Sequence, residues 1–257
     1  MIVTKSSDDL SRASAPWTSP PAKLVLAARD VHVWRVALDE PREIVDRLRQ
    51  FLSLDELARA DRFHFDKDRR HFIVARGYLR TLLSRYLNIL PAEIRFTYAE
   101  HGKPELAGPM AWELKFNLAH SGGLAAYAFT RVGEIGVDLE HIRPEFTGAD
   151  IARRFFSARE VARLDRLPAA ARPNAFFNCW TRKEAFIKAK GIGLSLALDQ
   201  FDVTLAPDEP AALLRTRWDE TEASRWSLQA LDVGPGYVGA VAVESHGWEL
   251  SCWEGPN

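Results

Sequence analysis

The sequence predicts an α+β fold built from two similar α/β-type halves, a pseudo-dimer within one chain. Three observations carry the prediction. Residues 31–36 and 135–140 both alternate apolar and polar side chains, the two-residue period of a strand. Residues 72–87 and 173–190 both place apolar side chains at helical spacing. In each half the strand is followed by shorter helical stretches, the long helix, and then about three strands, so the order of elements repeats. The halves join near residues 130–134.

Taken in order, residues 1–25 are rich in Ser, Pro and charge and read as a mobile arm. Residues 26–131 form the N-terminal subdomain, 132–245 the C-terminal subdomain, and 246–257 a tail. Residues 41–52 are a helix with Ile44, Val45, Leu48, Phe51 and Leu52 inward. Ser53 opens the next helix, and Glu56 completes a capping box with it. The basic stretch Lys67, Arg69, Arg70, Arg76, Arg80 and Arg85 leads along the long helix, and most of these charges read as a solvated face. Residues 94–98 are a strand, and His101-Gly102-Lys103-Pro104 is a tight turn. Residues 116–119 and 125–130 flank Gly122-Gly123 as a hairpin. In the second half residues 149–156 are helical, Gly191 ends the long helix, and residues 201–205, 226–231 and 237–243 are strands.

Composition excludes several function classes. With 47% hydrophobic and 27% charged residues the chain is globular, and a net charge of -1 gives no field for nucleic acid or a membrane surface. The first 130 residues carry a net +3 and the remainder −4, which suits an anion held by the first half and a cation by the second. Cys179 and Cys252 are the only cysteines; Cys179 falls in a helical pattern and reads as a small core residue. The first nine residues lack the apolar run of a signal peptide, and no segment has the length of a membrane span. The expected compartment is the reducing cytoplasm.

The chemistry concentrates in three stretches. Asp138 and Glu140, two apart on a strand, project to one side roughly 7 Å apart, while Val137 and Leu139 turn the other way, into the core. Paired carboxylates repel unless a cation lies between them or one keeps its proton. Glu184 is a third carboxylate, with Lys188 one turn beyond it on the same helix face. Oxygen ligands without a Cys/His set suit Mg²⁺, or Mn²⁺, and Mg²⁺ takes its remaining ligands from water and substrate phosphates. His120 precedes two glycines that let backbone approach a ligand, which suits a phosphate contact; a structural histidine is the alternative. Lys103 and Arg76 are further candidate phosphate binders.

These residues resemble the 4'-phosphopantetheinyl transferases of the surfactin-synthetase-activating type. The resemblance rests on Gly102-Lys103-Pro104, on residues 116–121, on Gly136-Val137-Asp138-Leu139-Glu140, on Arg154-Phe155-Phe156-Ser157 with Glu160, and on residues 180–188 with 191–196. It spans residues 30 to 245 or so. It implies a monomeric pseudo-dimer with coenzyme A in the cleft between its halves. It also implies Mg²⁺ on Asp138, Glu140 and Glu184 against the pyrophosphate, with Glu184 and Lys188 in the catalytic roles. Arg76 and His120 would contact phosphates, the 3'-phosphate included, and Lys103 with Pro104 would lie beside the adenosine. Arg59 falls near a position often basic in the family, and Ala119 stands where some members carry Ser, leaving backbone contacts alone there. The implied partner is an apo acyl, peptidyl or aryl carrier protein. The competing readings are a non-catalytic carrier- or nucleotide-binding module and a Mg²⁺-dependent nucleotide hydrolase.

Overall fold

The structure, a computed structural model, describes residues 15–99, 102–108, 114–143, 145–146 and 148–255. Most of the predicted arm, and His101 of the predicted turn, lie outside them. The chain divides into two compact units, one of Trp17–Val132 with the segment from Glu249, the other of Gly133–Trp248.

The first unit runs β1 (Trp17–Thr18), β2 (Asp30–Ala37), α1 (Arg42–Arg49), α2 (Leu54–Ala60), α3 (Asp66–Leu87), β3 (Phe96–Tyr98), β4 (Pro104–Leu106), β5 (Lys115–Ser121) and β6 (Leu124–Thr130). The second runs β7 (Ile135–His141), α4 (Ala149–Phe155), α5 (Ala158–Arg166), α6 (Arg172–Lys190), β8 (Phe201–Val203), β9 (Leu213–Thr216), β10 (Ser227–Leu231) and β11 (Tyr237–Val243). The chain then returns to the first unit as β12 (Glu249–Glu254).

The two units repeat one topology. In the first, β2 pairs antiparallel with β6 and β6 antiparallel with β5; in the second, β7 pairs with β11 and β11 with β10 in the same senses. Each sheet thus places its first strand beside its last, with the middle strand outside. Each unit also sets two short helices before the long one and a two-stranded ribbon, β3–β4 or β8–β9, after it. Four strands therefore follow each long helix, one more than the sequence pattern suggests, because β4 and β9 are only three and four residues long.

The C-terminal segment, expected as a tail, is a sheet strand. β12 pairs parallel with β2 and carries β1 on its other edge, and Arg35 closes an ion pair with Glu254 at 2.5 Å. Its partners are over two hundred residues away in sequence, a pairing that local alternation does not signal.

Helix α3 begins six residues before the predicted start, with Asp66 and Asp68 in its first turn, where carboxylates suit the positive end of the helix dipole. Leu79, Leu82 and Leu83 pack with Trp34 and Phe129 of the sheet, and Tyr127 Oη donates to the Ala75 carbonyl at 2.8 Å. Arg80, expected with most of the basic stretch on a solvated face, is buried, as is the candidate phosphate binder Arg76; both pair with Glu56, at 2.7 and 3.4 Å. Glu56 forms the predicted capping box, accepting from the Ser53 amide at 2.9 Å, and its carboxylate neutralises the helix cations from beneath.

Candidate active site

In the second unit α6 lies across β7. A Cβ at Gly136 would overlap the Ala185 carbonyl oxygen and the Ala189 amide nitrogen, so only glycine permits this approach. Ala240 and Ala242 of β11, paired opposite Asp138 and Gly136, belong to the same helix-covered core. By alternation Gly136, Asp138 and Glu140 therefore face α6. The sequence reading paired the carboxylates correctly and sent Val137 and Leu139 the other way. Val137 and Leu139 are indeed buried on the opposite face; what alternation did not show is that the helix covers the carboxylate face as well.

The helix brings Glu184 and Lys188 to this face. Lys188 Nζ donates to Asp138 Oδ1 at 2.6 Å, while Asp138 Oδ2 is buried with no hydrogen-bond partner among the described residues. Burial pushes the Asp138 pKa up to about 7; Lys188 opposes the rise, and the charges of Glu184 and Glu140 add to it. Glu184 is also raised, by burial first, with Lys188 opposing and Glu140 adding. All four predicted residues thus form one electrostatic cluster. Among the described residues no three His, Cys, Asp or Glu side chains converge as a metal cage, and Lys188 holds one Asp138 oxygen. The donor set nonetheless fits a hard dication: oxygen ligands only, excess negative charge, and an orphaned buried carboxylate oxygen.

The other predicted residues lie in the first unit. Arg59 lines a cavity of about 580 Å³ with Asp55, Glu56, Arg62, Phe63, Tyr98 and Gly102. Arg59 and Arg76 both approach the Phe72 ring, at 5.4 and 5.8 Å, and Arg76 also meets Phe96 at 5.3 Å. Arg76 Nη1 is buried without a hydrogen-bond partner among the described residues; burial lowers the Arg76 pKa, and Glu56 opposes that. The turn expected at Gly102-Lys103-Pro104 closes through Gly102 donating to the Ala99 carbonyl and Ala99 to the Lys103 carbonyl, at 2.8 and 3.0 Å. Pro104 opens β4 opposite Tyr98. Ala119 is buried on β5, and His120, exposed beside it, leads to the Gly122-Gly123 turn, where both glycines have positive φ. The cavity residues Arg62, Phe63 and Tyr98 were missed: adjacent charge and aromatics at 62–63 are visible in sequence, but their convergence with a turn forty residues on is not.

A long helix packed on an antiparallel set of three strands occurs in both units, with Asp138, Glu140 and Glu184 grouped in the second, and comparison identifies the family. The 4'-phosphopantetheinyl transferase superfamily model matches residues 134–242, and the N-terminal 4'-phosphopantetheinyl transferase model matches residues 40–131. The chain belongs to this family and is a transferase of the 4'-phosphopantetheine group. It is 41% identical to the 4'-phosphopantetheinyl transferase HetI of Nostoc sp. over 238 residues, 92% of this chain and 97% of that relative. It is 35% identical to ffp of Bacillus subtilis and 31% to Sfp of Bacillus subtilis strain 168, each over 82% of this chain and 91% of the relative. Among the described residues no helix is long and apolar enough to cross a membrane.

Proposed function

We propose that this enzyme transfers the phosphopantetheine arm of coenzyme A to a serine of an apo acyl, peptidyl or aryl carrier protein, using Mg²⁺ or Mn²⁺ held by Asp138, Glu140 and Glu184. One observation carries the reading: Asp138 is buried, keeps an unpartnered oxygen, and stands beside two further carboxylates that raise its pKa. Such an arrangement is costly for folding and is relieved by a dication with a pyrophosphate. When bound, the metal would neutralise the phosphate oxygens and the leaving phosphate.

Glu184, whose pKa burial holds above its ordinary value and which is therefore a better proton acceptor than a free carboxylate, takes the serine proton directly or through a water. The serine oxygen bonds to the β-phosphorus, the bond to the bridging oxygen breaks, and 3',5'-ADP leaves with its electron pair. Lys188, paired with Asp138 at 2.6 Å, adds positive charge near the phosphates. Arg59, Arg76, Lys103, Pro104, Ala119 and His120 take the nucleotide end. The arginine-lined cavity and the unpartnered Arg76 Nη1 support that assignment, because buried unsatisfied donors are expensive unless a ligand uses them. The enzyme is read as a cytoplasmic monomer.

The test is the intact mass of an apo carrier protein after incubation with this protein, coenzyme A and Mg²⁺. A gain of one phosphopantetheine, abolished by EDTA, is expected. Release of 3',5'-ADP with unmodified carriers of all three classes would overturn the transfer in favour of hydrolysis.

A further inference from the structure

Outside the carboxylate cluster one buried charge sits directly beside it in sequence: Lys183, the residue before Glu184. It has no solvent exposure. Its ammonium pairs with Glu160 Oε2 at 2.9 Å and donates to the carbonyls of Leu198 and Phe201 at 2.7 and 2.6 Å. The Phe201 ring lies 4.2 Å away. Glu160 is itself buried, and accepts from the backbone amides of Ser157 at 2.9 Å and Val203 at 2.8 Å. One lysine thus ties α6 to the start of α5 and to the segment leading into β8.

The direction of this tether matters. Successive helix residues are about 100° apart, so Lys183 points roughly 140° away from the Ala185–Ala189 side that touches Gly136. Lys188, one turn beyond Glu184, is fixed on Asp138. Helix α6 is therefore held from three azimuths: by Gly136, by Asp138 and by the Glu160 anchor. A carboxylate about 6 Å from the axis moves about 2 Å for a 20° helix rotation, enough to spoil metal ligation or proton transfer. Simple stability is a weak explanation for the anchor, since a buried ion pair gains little over apolar residues of the same volume.

We propose that Lys183 is a positioning residue: with Glu160 it sets the rotation of α6 and so aims Glu184 at the metal-binding face of β7. The inference rests on the metal reading of Asp138, Glu140 and Glu184 and deepens it.

The test is Mn²⁺ affinity of the coenzyme A-loaded protein, read as free Mn²⁺ by electron paramagnetic resonance. The Lys183→Met/Glu160→Gln double variant removes both charges together. It is expected to stay folded, to bind Mn²⁺ about tenfold more weakly, in line with outer-shell supports of metal ligands, and to need about tenfold more Mg²⁺ for half-maximal transfer. Its KM for coenzyme A at saturating Mg²⁺ should be unchanged. Lys183→Gln, which keeps one donor while Glu160 keeps its two amide partners, should show a smaller shift in the same direction. Unchanged Mn²⁺ affinity in folded variants, or failure of both variants to fold, makes Lys183 a stability element only and overturns the proposal. Glu184→Gln is the control: if it leaves Mn²⁺ affinity intact, the metal reading itself has failed.

Discussion

Asp138 links the residue scale to function. A carboxylate that is buried, half-satisfied and crowded by Glu140 and Glu184 contributes little to folding. Asp138→Asn and Glu184→Gln are therefore each expected to abolish carrier modification while leaving the unfolding free energy from urea titration within about 1 kcal/mol of the parent. Loss of fold in both would recast the cluster as structural. His120→Ala is expected to raise KM for coenzyme A more than for dephospho-coenzyme A; equal effects on the two would remove His120 from the 3'-phosphate. These residues were legible because each chemistry shows in local spacing: two carboxylates at strand period, and a carboxylate and lysine at helix period. Arg80, Glu56, Lys183 and Glu160 were not legible as ion pairs. Their partners are 24 and 23 residues apart, and each glutamate already has a local role three residues into a capping box that accounts for its presence.

Those pairs also show how an element is fixed. In both units a capping-box glutamate from the short helix reaches under the long helix and neutralises a buried cation, Arg80 on α3 and Lys183 on α6. Removing Arg80 leaves buried Glu56 with only the longer pair to Arg76 at 3.4 Å and the Ser53 amide, so Arg80→Met is expected to cost up to about 3–5 kcal/mol in urea unfolding. A loss below about 1 kcal/mol would mean that Glu56 finds water or Arg76 instead. On the other side of α6 the constraint is steric. Gly136→Ala forces the Ala185 carbonyl and the Ala189 amide away from β7, displacing the helix that carries Glu184. Activity should vanish and stability should drop by about 1–3 kcal/mol, the usual range for overpacking a close contact. An active, stable Gly136→Ala protein would show that α6 can shift without consequence. Sequence alternation found the two faces of β7 but not which one the helix covers. The informative signal was the run of small residues, Gly136 with Ala240 and Ala242, on the covered face.

For the whole molecule, the order of elements made the repeat legible, since β2 and β7, α3 and α6, and the closing strand pairs recur at similar intervals. The return of the C-terminus to the first unit was not, because β12 earns its place by pairing with β2 rather than by its own pattern. That strand brings Trp253 against His32, with ring centroids 5.7 Å apart, and completes the burial of a histidine. Trp34 Nε1 donates to Tyr86 Oη at 2.8 Å, and Tyr86 Oη lies 2.9 Å from His32 Nδ1. A neutral His32 carrying its hydrogen on Nε2 accepts the tyrosine proton at Nδ1 while Tyr86 accepts from Trp34, an arrangement that satisfies all three groups. Burial lowers the His32 pKa from 6.5, and Asp30, 3.8 Å from Nε2, opposes this only partly. The folded state then binds fewer protons than the unfolded one as pH falls through 6.5. The stability that His32 contributes is full above that value and is lost progressively below it, towards the folded pKa. Urea midpoints of the parent and of His32→Gln, measured from about pH 8 to about pH 5 at constant ionic strength, read this directly. The parent should lose its advantage over the variant as pH falls below 6.5. A difference that stays flat, or grows towards acid, would mean that His32 is protonated in the fold and that Asp30, rather than Tyr86, decides its charge.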